Sequence, residues 1–154
     1  MRSERLFRRQ IRKFAKLKYF ITICTKEKIC YFERYPELKK IVFEQWYCLP
    51  KRFSSIGLDE FIIMPNHLHG IIVIMGAHGR SIGSMVGAYK SLCVVEWLKT
   101  IKTNHLQAVG TFWQRNYYEH VIRDENDLNR IRRYILENPM KWDEDENNPR
   151  NWKE

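Results

Sequence analysis

Two apolar segments separated by a short turn limit the fold of this chain more than any other feature. The segments SSIGLDEFIIM (54–64) and HLHGIIVIM (67–75) are rich in β-branched and aromatic residues, which favour strands. Met64, Pro65 and Asn66 form a turn between them, because proline presets one turn dihedral angle and asparagine tolerates the next. The two segments therefore predict a β-hairpin.

Other segments predict two more strands and two helices. KYFITICTKE contains an alternating strand at about 18–25, and AVGTFWQRNYYEHVIRD carries a fourth strand in its second half. A first helix in PELKKIVFEQWYCLPKRF begins at Pro36. A second helix, in SMVGAYKSLCVVEWLKTI, follows the glycine-rich loop GAHGRSIGSM. The apolar positions are Leu38, Ile41, Val42 and Trp46 in the first helix, and Met85, Leu92, Val95 and Leu98 in the second.

A third helix, in DENDLNRIRRYILENP, completes the pattern. Asp124 or Asp127 can cap its start, and Pro139 ends it, because the residue before a proline avoids helical dihedral angles. Its apolar stripe, which must face the sheet, consists of Leu128, Ile131 and Ile135. The order β-α-β-β-α-β plus a helix predicts an α+β fold, an α/β sandwich of the ferredoxin-like split βαβ kind. Helices cover one face of the antiparallel sheet, and the C-terminal helix is added.

Length and charge restrict the class of function. The 154 residues suit one domain (1–154), with a basic N-terminal arm (1–17), a core (18–142) and a polar tail (143–154) outside the core. Lys and Arg number 27 against 18 Asp and Glu, a net charge of +9, which favours nucleic acid over membrane as partner. Many small basic proteins bind neither. Without a membrane span or signal peptide, and with four cysteines in no zinc-binding pattern, we expect a cytoplasmic protein with free thiols.

Two histidines stand out in the third predicted strand. His67 and His69 are two residues apart, so they share one face of the strand, while Leu68 points to the other. Two adjacent imidazoles on one face are a natural pair of metal ligands. The alternative is that both histidines are merely hydrogen-bonded within the sheet or at its edge.

Tyr134 and Asn138 are the residues that can join the histidines in a reaction. They lie four apart on the third helix, beside its apolar stripe, so they are near the sheet. A tyrosine hydroxyl is a poor nucleophile at neutral pH, but it can attack a phosphodiester when a divalent metal polarises the phosphate. Two histidines and an amide oxygen can hold such a metal. The alternative is a packing tyrosine whose hydroxyl lies at the edge of the core.

Together these motifs resemble a known family, the single-tyrosine transposases that act on single-stranded DNA and carry a His-hydrophobic-His (HUH) motif. MPNHLHGIIVI is similar to the family's histidine strand with its preceding turn. FWQRNYYEHVIRDENDLNRIRRYILENP resembles the REP-associated branch: a Trp-Gln-Arg stretch, a Tyr-x-x-His strand and a helix bearing Tyr-Ile-x-x-Asn-Pro. The resemblance covers about 18–142.

The resemblance implies a role for each of these residues. His67 and His69 would bind Mg²⁺ or Mn²⁺, with Asn138 where relatives carry an amide-bearing third ligand. Tyr134 would form a 5′-phosphotyrosine and release a 3′-OH, and His120 would be a neighbour of the site. The implied substrate is single-stranded DNA that contains a hairpin. Some members are dimers, so a homodimer is possible.

Basic and aromatic residues supply candidates for DNA binding. The basic candidates are Lys90, Arg115, Arg123, Arg130, Arg132 and Arg133, and the aromatic ones are Trp113, Tyr117 and Tyr118. Each has a structural alternative, because an aromatic residue near a strand is often part of the core and a helical arginine run is often solvated. Two other functions remain open: a non-catalytic single-stranded nucleic-acid-binding module, and a metal-dependent nuclease that uses water. A plain metal-binding or interaction protein is a third, less favoured option.

Overall fold

One antiparallel sheet forms the centre of the computed structural model, which describes residues 16–76 and 81–152. Its strands are β1 Lys16–Cys24, β2 Ile56–Met64, β3 His67–Met75 and β4 Tyr118–Ile122. Their order in the sheet is β2-β3-β1-β4, and each neighbouring pair is antiparallel. Of the predicted basic arm, residues 1–15 lie outside the described part of the chain.

Helices join and follow the strands. They are α1 Tyr31–Arg34, α2 Pro36–Tyr47, α3 Leu49–Arg52, α4 Ile82–Asn104 and α5 Glu125–Glu137. Short 3₁₀ helices lie at Lys26–Lys28, Asn138–Glu144 and Pro149–Asn151. The main elements follow the order β-α-β-β-α-β plus a helix, so the predicted ferredoxin-like α+β fold is confirmed. Within residues 16–76 and 81–152, no helix has the length and apolarity needed to cross a membrane.

The two faces of the sheet carry different helices. On one face, Ile21 and Leu68 belong to a large core that includes Trp46 of α2 and Trp97 of α4. The side chains of a strand alternate, so neighbouring residues point to the opposite face, which α5 covers. The smaller core on that face consists of Phe20, Ile71, Ile122, Leu128, Ile131 and Ile135. The predicted stripe of α5 therefore packs on the sheet, on the face that carries the histidines.

The hairpin turn between β2 and β3 is held by contacts with distant segments. The last pair of the hairpin joins Met64 of β2 to His67 of β3, so Pro65 and Asn66 form the two-residue turn. The side-chain amide nitrogen of Asn66 donates hydrogen bonds to the backbone carbonyls of Lys28 (2.9 Å) and Asn147 (2.7 Å). These bonds fix both the turn and the orientation of the Asn66 amide.

We expect the polar tail to lie outside the core, but part of it is buried. Asn148 is 2% exposed, and its side chain donates a hydrogen bond to the carbonyl of Trp142 (3.0 Å). Asn147 accepts the bond from Asn66 described above. Asparagine side chains bond readily to nearby backbone groups, so this polar segment packs by hydrogen bonding rather than by apolar burial.

Helix α4 differs from the prediction in its start and in its buried face. It begins inside the segment expected to be a loop, because the Ser81 side chain accepts a hydrogen bond from the Ser84 N–H (3.1 Å) and caps the helix. Val95 and Leu98, predicted to face the core, are 48% and 50% exposed. The buried residues of α4 are Ile82, Met85, Val86, Tyr89, Cys93 and Trp97. The side of α4 with the largest aromatic rings covers the sheet.

Candidate active site

His67 and His69 lie side by side at the start of β3, on the face that α5 covers. Their ring centroids are 4.7 Å apart, and the residues are only 0% and 3% exposed. Their i, i+2 spacing in a strand puts both rings on one face, as predicted. Histidine is seldom buried this completely, and each buried ring nitrogen is expected to have a hydrogen-bond partner or a ligand.

One nitrogen of each ring is occupied by a neighbouring side chain. His67 Nδ1 lies 2.8 Å from Asn66 Oδ1, and His69 Nδ1 lies 2.8 Å from Thr22 Oγ1. The Asn66 amide nitrogen already donates elsewhere, so its oxygen accepts the proton of His67 Nδ1. That tautomer leaves a lone pair on His67 Nε2. The Thr22 hydroxyl can accept from His69 Nδ1 in the same way.

Burial keeps both imidazoles neutral. It lowers the pKa of His67 to about 4, against a smaller opposing effect of the Asp145 carboxylate. It lowers the pKa of His69 to about 3, with a further contribution from His67. Neutral imidazole is the form that binds metals. Both histidines are therefore in the protonation state that a metal site would require at neutral pH.

Asn138, directly after α5, adds a third buried acceptor. It is 4% exposed, and its amide nitrogen donates to the carbonyl of Tyr134 (3.1 Å), which leaves Oδ1 as the free end. A protonated His67 would donate to Asn138, which is why Asn138 raises the pKa of His67. With neutral His67, both facing atoms are acceptors and cannot bond each other. Asn138 is thus more buried than its predicted position beside the helix stripe suggested.

In this site, three buried atoms therefore have no hydrogen-bond partner among the described residues: Nε2 of His67, Nε2 of His69 and Oδ1 of Asn138. An unpaired buried polar atom costs roughly 1–3 kcal/mol, so three together call for an explanation. Between 16–76 and 81–152, no three His, Cys, Asp or Glu side chains are grouped to hold a metal ion. Two imidazole nitrogens and one amide oxygen are nonetheless a donor set that a divalent cation accepts.

Tyr134 lies against this set of acceptors. Its ring centroid is 5.2 Å from that of His69 and 6.1 Å from that of Phe20. The residue is 47% exposed, so its outer part is open to a ligand. Helix α5 fixes the position of the tyrosine, because its stripe packs on the sheet and Arg132 makes a two-bond ion pair with Asp59 of β2 (2.8 and 2.6 Å).

His120 of β4 faces the same side of the sheet but belongs to a separate polar cluster. Its Nε2 lies 2.9 Å from the Asp127 carboxylate, which also accepts a hydrogen bond from Arg130. The hydrogen bond from His120 holds the pKa of Asp127 below its usual value. Asp124, one of the two predicted caps, accepts a hydrogen bond from the Asp127 N–H and caps α5. The structure thus places His120 near Tyr134 without joining it to the three acceptors.

Lys90 and Trp113 both have structural contacts. The Lys90 ammonium donates to the carbonyls of Gln114 (2.6 Å) and Arg115 (3.3 Å), and the Trp113 indole donates to the Lys90 carbonyl (3.2 Å). The Trp113 ring packs against Phe112, with centroids 4.6 Å apart. These bonds hold the segment before β4 onto α4. Direct contact of Lys90 or Trp113 with DNA remains a prediction.

The other candidates for DNA binding differ in whether they pair with another side chain of the protein. Arg115, Arg123 and Arg133 are exposed, as is Tyr118. The remaining three have partners in the protein: Arg130 with Asp127, Arg132 with Asp59 and Tyr117 with Glu119. The four residues of the first group are therefore open to a phosphate or a base, and Arg130, whose side chain is 76% exposed, also presents its outer nitrogens to solvent.

Sequence reasoning missed the residues that orient the histidines. The turn motif gives Asn66 no role beyond the turn, and no motif in the sequence points to Thr22. Thr22 is the strand partner of His69, a contact that depends on the register of β1 and β3. A polar residue inside the apolar run FITIC was the available signal, but it does not indicate which histidine it would meet.

The chain is thus an α+β domain with a split βαβ fold. Its candidate active site combines a buried histidine pair with a tyrosine on the helix that follows β4. The family model described as "Transposase IS200 like" matches residues 13–138. An uncharacterized protein of Haemophilus influenzae is 37% identical, over 83% of this chain and 83% of that protein. The chain belongs to the IS200-like transposase family, which confirms the resemblance and supports a role in DNA transposition.

Solved structures agree on the fold. A REP-associated tyrosine transposase bound to a REP hairpin superposes with a TM-score of 0.57 at 19% identity, over 83% of this chain and 70% of that one. A structure from Deinococcus radiodurans R1, assigned as a transposase, gives a TM-score of 0.52 at 20% identity, over 79% and 90% of the two chains. At such identities the likeness concerns the fold alone.

Proposed function

We propose that this protein cleaves and rejoins single-stranded DNA, with Tyr134 as nucleophile and with Mg²⁺ or Mn²⁺ held by His67, His69 and Asn138. One observation carries the proposal: three buried acceptor atoms, which have no partner among residues 16–76 and 81–152, lie next to an accessible tyrosine, and the centroid of its ring is 5.2 Å from that of His69. Membership of the IS200-like transposases gives this chemistry its context.

The covalent step is a transfer of a phosphoryl group to tyrosine. Tyr134 Oη attacks the phosphorus of one phosphodiester, and a new O–P bond joins the tyrosine to the 5′ side of the break. The bond to the 3′ oxygen breaks, the phenol proton passes to solvent, and the departing oxygen takes up a proton as a 3′-OH. His67, His69 and Asn138 would hold the divalent cation, whose charge would polarise a phosphoryl oxygen and offset the negative charge that develops there. The phosphotyrosine keeps the energy of the broken bond, so a 3′-OH can rejoin the strand without ATP.

The surrounding residues prepare this step. Asn66 and Thr22 orient the two imidazoles, and burial keeps them neutral. Such partners of metal-ligating histidines typically affect metal affinity by 10- to 100-fold. The ion pair between Arg132 and Asp59 ties the tyrosine helix to β2, so Tyr134 has a fixed place beside the acceptors.

We propose a single-stranded DNA with a hairpin as the substrate. The similar REP-associated transposase is bound to a REP hairpin, and the net charge of +9 favours a polyanion. Exposed Arg115, Arg123 and Arg133 are the proposed phosphate contacts. Lys90 and Trp113 would act by holding the segment that presents Arg115.

A denaturing gel tests the proposal. The protein is incubated with labelled single-stranded hairpin oligonucleotides from its genomic flanks, with Mn²⁺, Mg²⁺ or EDTA. We expect a metal-dependent band of protein joined to DNA that resists SDS. Tyr134→Phe should abolish the band, whereas Tyr47→Phe, at a 50% exposed tyrosine of α2, should retain it. His67→Ala should also abolish it, with His105→Asn at the end of α4 as the matched control.

Each alternative function gives a different result on the same gel. Cleavage without a covalent band, retained in Tyr134→Phe, would show that water is the nucleophile and that the protein is a metal-dependent nuclease. No cleavage product on the gel, with or without metal, together with binding of the native flanks in a parallel non-denaturing mobility-shift assay, would favour a single-stranded nucleic-acid-binding module.

A further inference from the structure

A groove opens beside Tyr134, between the edge strand β4 and helix α5. Its volume is about 280 Å³, and its lining residues are Phe20, Tyr118, His120, Arg130, Ile131 and Tyr134. The lining combines an apolar base, two phenol rings and basic side chains. Ligand sites for drug-sized molecules measure roughly 300–1,000 Å³, so this groove is sized for a single planar group.

The strand register makes this groove continuous with the candidate active site. Thr22 of β1 pairs with His69 on one side and with Tyr118 on the other, so these three residues form one row across the sheet. The Phe20 ring stacks on the His69 ring (centroids 5.4 Å apart) and also borders the groove. Tyr134 contacts both rings. A strand cleaved at Tyr134 would therefore have its next nucleotide within reach of the groove.

Tyr118 provides a stacking surface at the groove wall. It is 57% exposed, and its ring meets Phe20 edge to face, with centroids 6.3 Å apart. Because Phe20 does not stack flat on Tyr118, the exposed Tyr118 ring can stack on another planar group. Exposed aromatic residues beside a basic surface are a common means of holding single-stranded bases without reading their sequence.

The basic side chains of the groove are held by one carboxylate. The Asp127 carboxylate contacts Nε2 of His120 (2.9 Å) and also pairs with Arg130. It therefore holds both side chains at the mouth of the groove. The Asp127 side chain is only 12% exposed, whereas that of Arg130 is 76% exposed. His120 Nδ1 and the outer nitrogens of Arg130 are left to meet a base edge or a phosphate.

We infer that this groove binds one nucleobase next to the scissile phosphate, stacked on Tyr118, with His120 and Arg130 at its polar edge. The inference rests on the proposed function and adds a positioning role to it. It also assigns the His120–Asp127 pair to substrate binding rather than to the metal.

An abasic scan tests the inference through binding, separately from chemistry. Fluorescence anisotropy measures the affinity of the protein for labelled hairpin oligonucleotides that carry a single abasic site at successive positions around the cleavage point. In the wild-type protein, one position should weaken binding by about 5- to 150-fold, the range expected for loss of one base–aromatic stack. In Tyr118→Ala the same abasic site should cost almost nothing further, whereas Tyr118→Phe should keep the full effect.

Two further variants exclude trivial results. Tyr118→Leu preserves an apolar side chain on β4 but not the aromatic ring, so it should behave as Tyr118→Ala even if alanine weakens the strand. Tyr47→Ala, on the far side of the sheet, should leave the wild-type pattern unchanged. Equal abasic costs in the wild type, Tyr118→Ala and Tyr118→Leu, or no binding of any oligonucleotide, would overturn the inference. Formation of the covalent band reports separately on Tyr134, so groove binding and the proposed chemistry fail independently.

Discussion

At the scale of single residues, the candidate site depends on uncompensated acceptors. Asn66 fixes the proton of His67 on Nδ1, and the lone pair of the buried Nε2 then has no donor in the part of the chain that the structure describes. The amide nitrogen of Asn138 donates to the Tyr134 carbonyl, so Oδ1 of Asn138 is the end of the amide that faces the site. If these positions served only for packing, apolar side chains there would avoid the cost of unpaired polar atoms.

Without a metal, these histidines should make the protein sensitive to mild acid. Their folded pKa values, about 4 and about 3, lie below the unfolded value of about 6.5, so the unfolded chain takes up protons first. The free energy of unfolding should therefore fall as the pH drops below about 6.5. At about pH 5 the loss should be about 2 kcal/mol for each histidine, since one pKa unit is worth about 1.4 kcal/mol.

Urea unfolding in EDTA at about pH 7 and about pH 5 measures this loss. The double variant His67→Gln/His69→Gln should lose clearly less stability than the wild type over the same interval. Parallel losses in the two proteins would show that these histidines are not held neutral by the fold.

At the scale of elements, β3 matters because both of its faces carry close contacts. Gly70 follows His69 and points to the opposite face, where a Cβ would overlap the indole of Trp46. The absence of a side chain allows Trp46 to stack on Phe61, with centroids 4.4 Å apart and an interplanar angle of 8°. The strand that positions the histidines is thus fixed by the α2 side of the core as well.

Gly70→Ala should therefore destabilise the protein by about 1–3 kcal/mol, the usual range for overpacking a core. The matched control is Gly87→Ala in α4, where an added Cβ meets nothing within 4 Å. There the greater helix propensity of alanine should raise stability by up to about 1 kcal/mol. Denaturant midpoints of the two variants should shift in opposite directions, and equal shifts would contradict this account of β3.

The elements also show what the sequence could predict. Helix α5 has one apolar stripe in a polar helix, so its buried face could be read from Leu128, Ile131 and Ile135. Helix α4 has apolar residues on several sides, so its periodicity does not select a face; packing of Tyr89 and Trp97 decides it, and Val95 and Leu98 are left exposed. The histidine pair followed from strand alternation, whereas its contact with Thr22 depended on register between strands.

At the scale of the whole molecule, one chain contains all parts of the proposed centre. The strand that supplies the histidines and the helix that supplies Tyr134 pack on each other within the same chain, and the His69 and Tyr134 rings are 5.2 Å apart. We therefore expect cleavage in cis, whether the protein is a monomer or forms the homodimer considered above.

A mixing experiment tests this expectation. Tyr134→Phe and His67→Ala/His69→Ala proteins, tagged to different lengths, are combined with the hairpin oligonucleotide and Mn²⁺. Cleavage in cis gives no covalent band from the mixture. A band at the position of the histidine variant would show that its tyrosine works with the histidines of a second chain.

The most direct measurement maps the covalent bond itself. The wild-type protein is reacted with the hairpin oligonucleotide and Mn²⁺, then digested with nuclease and protease, and the peptides are examined by mass spectrometry. We predict a 5′-nucleotide attached to Tyr134 and to no other residue. A nucleotide on a different side chain, or cleaved DNA with a free 5′-phosphate and unmodified Tyr134, would contradict the proposed role of this tyrosine.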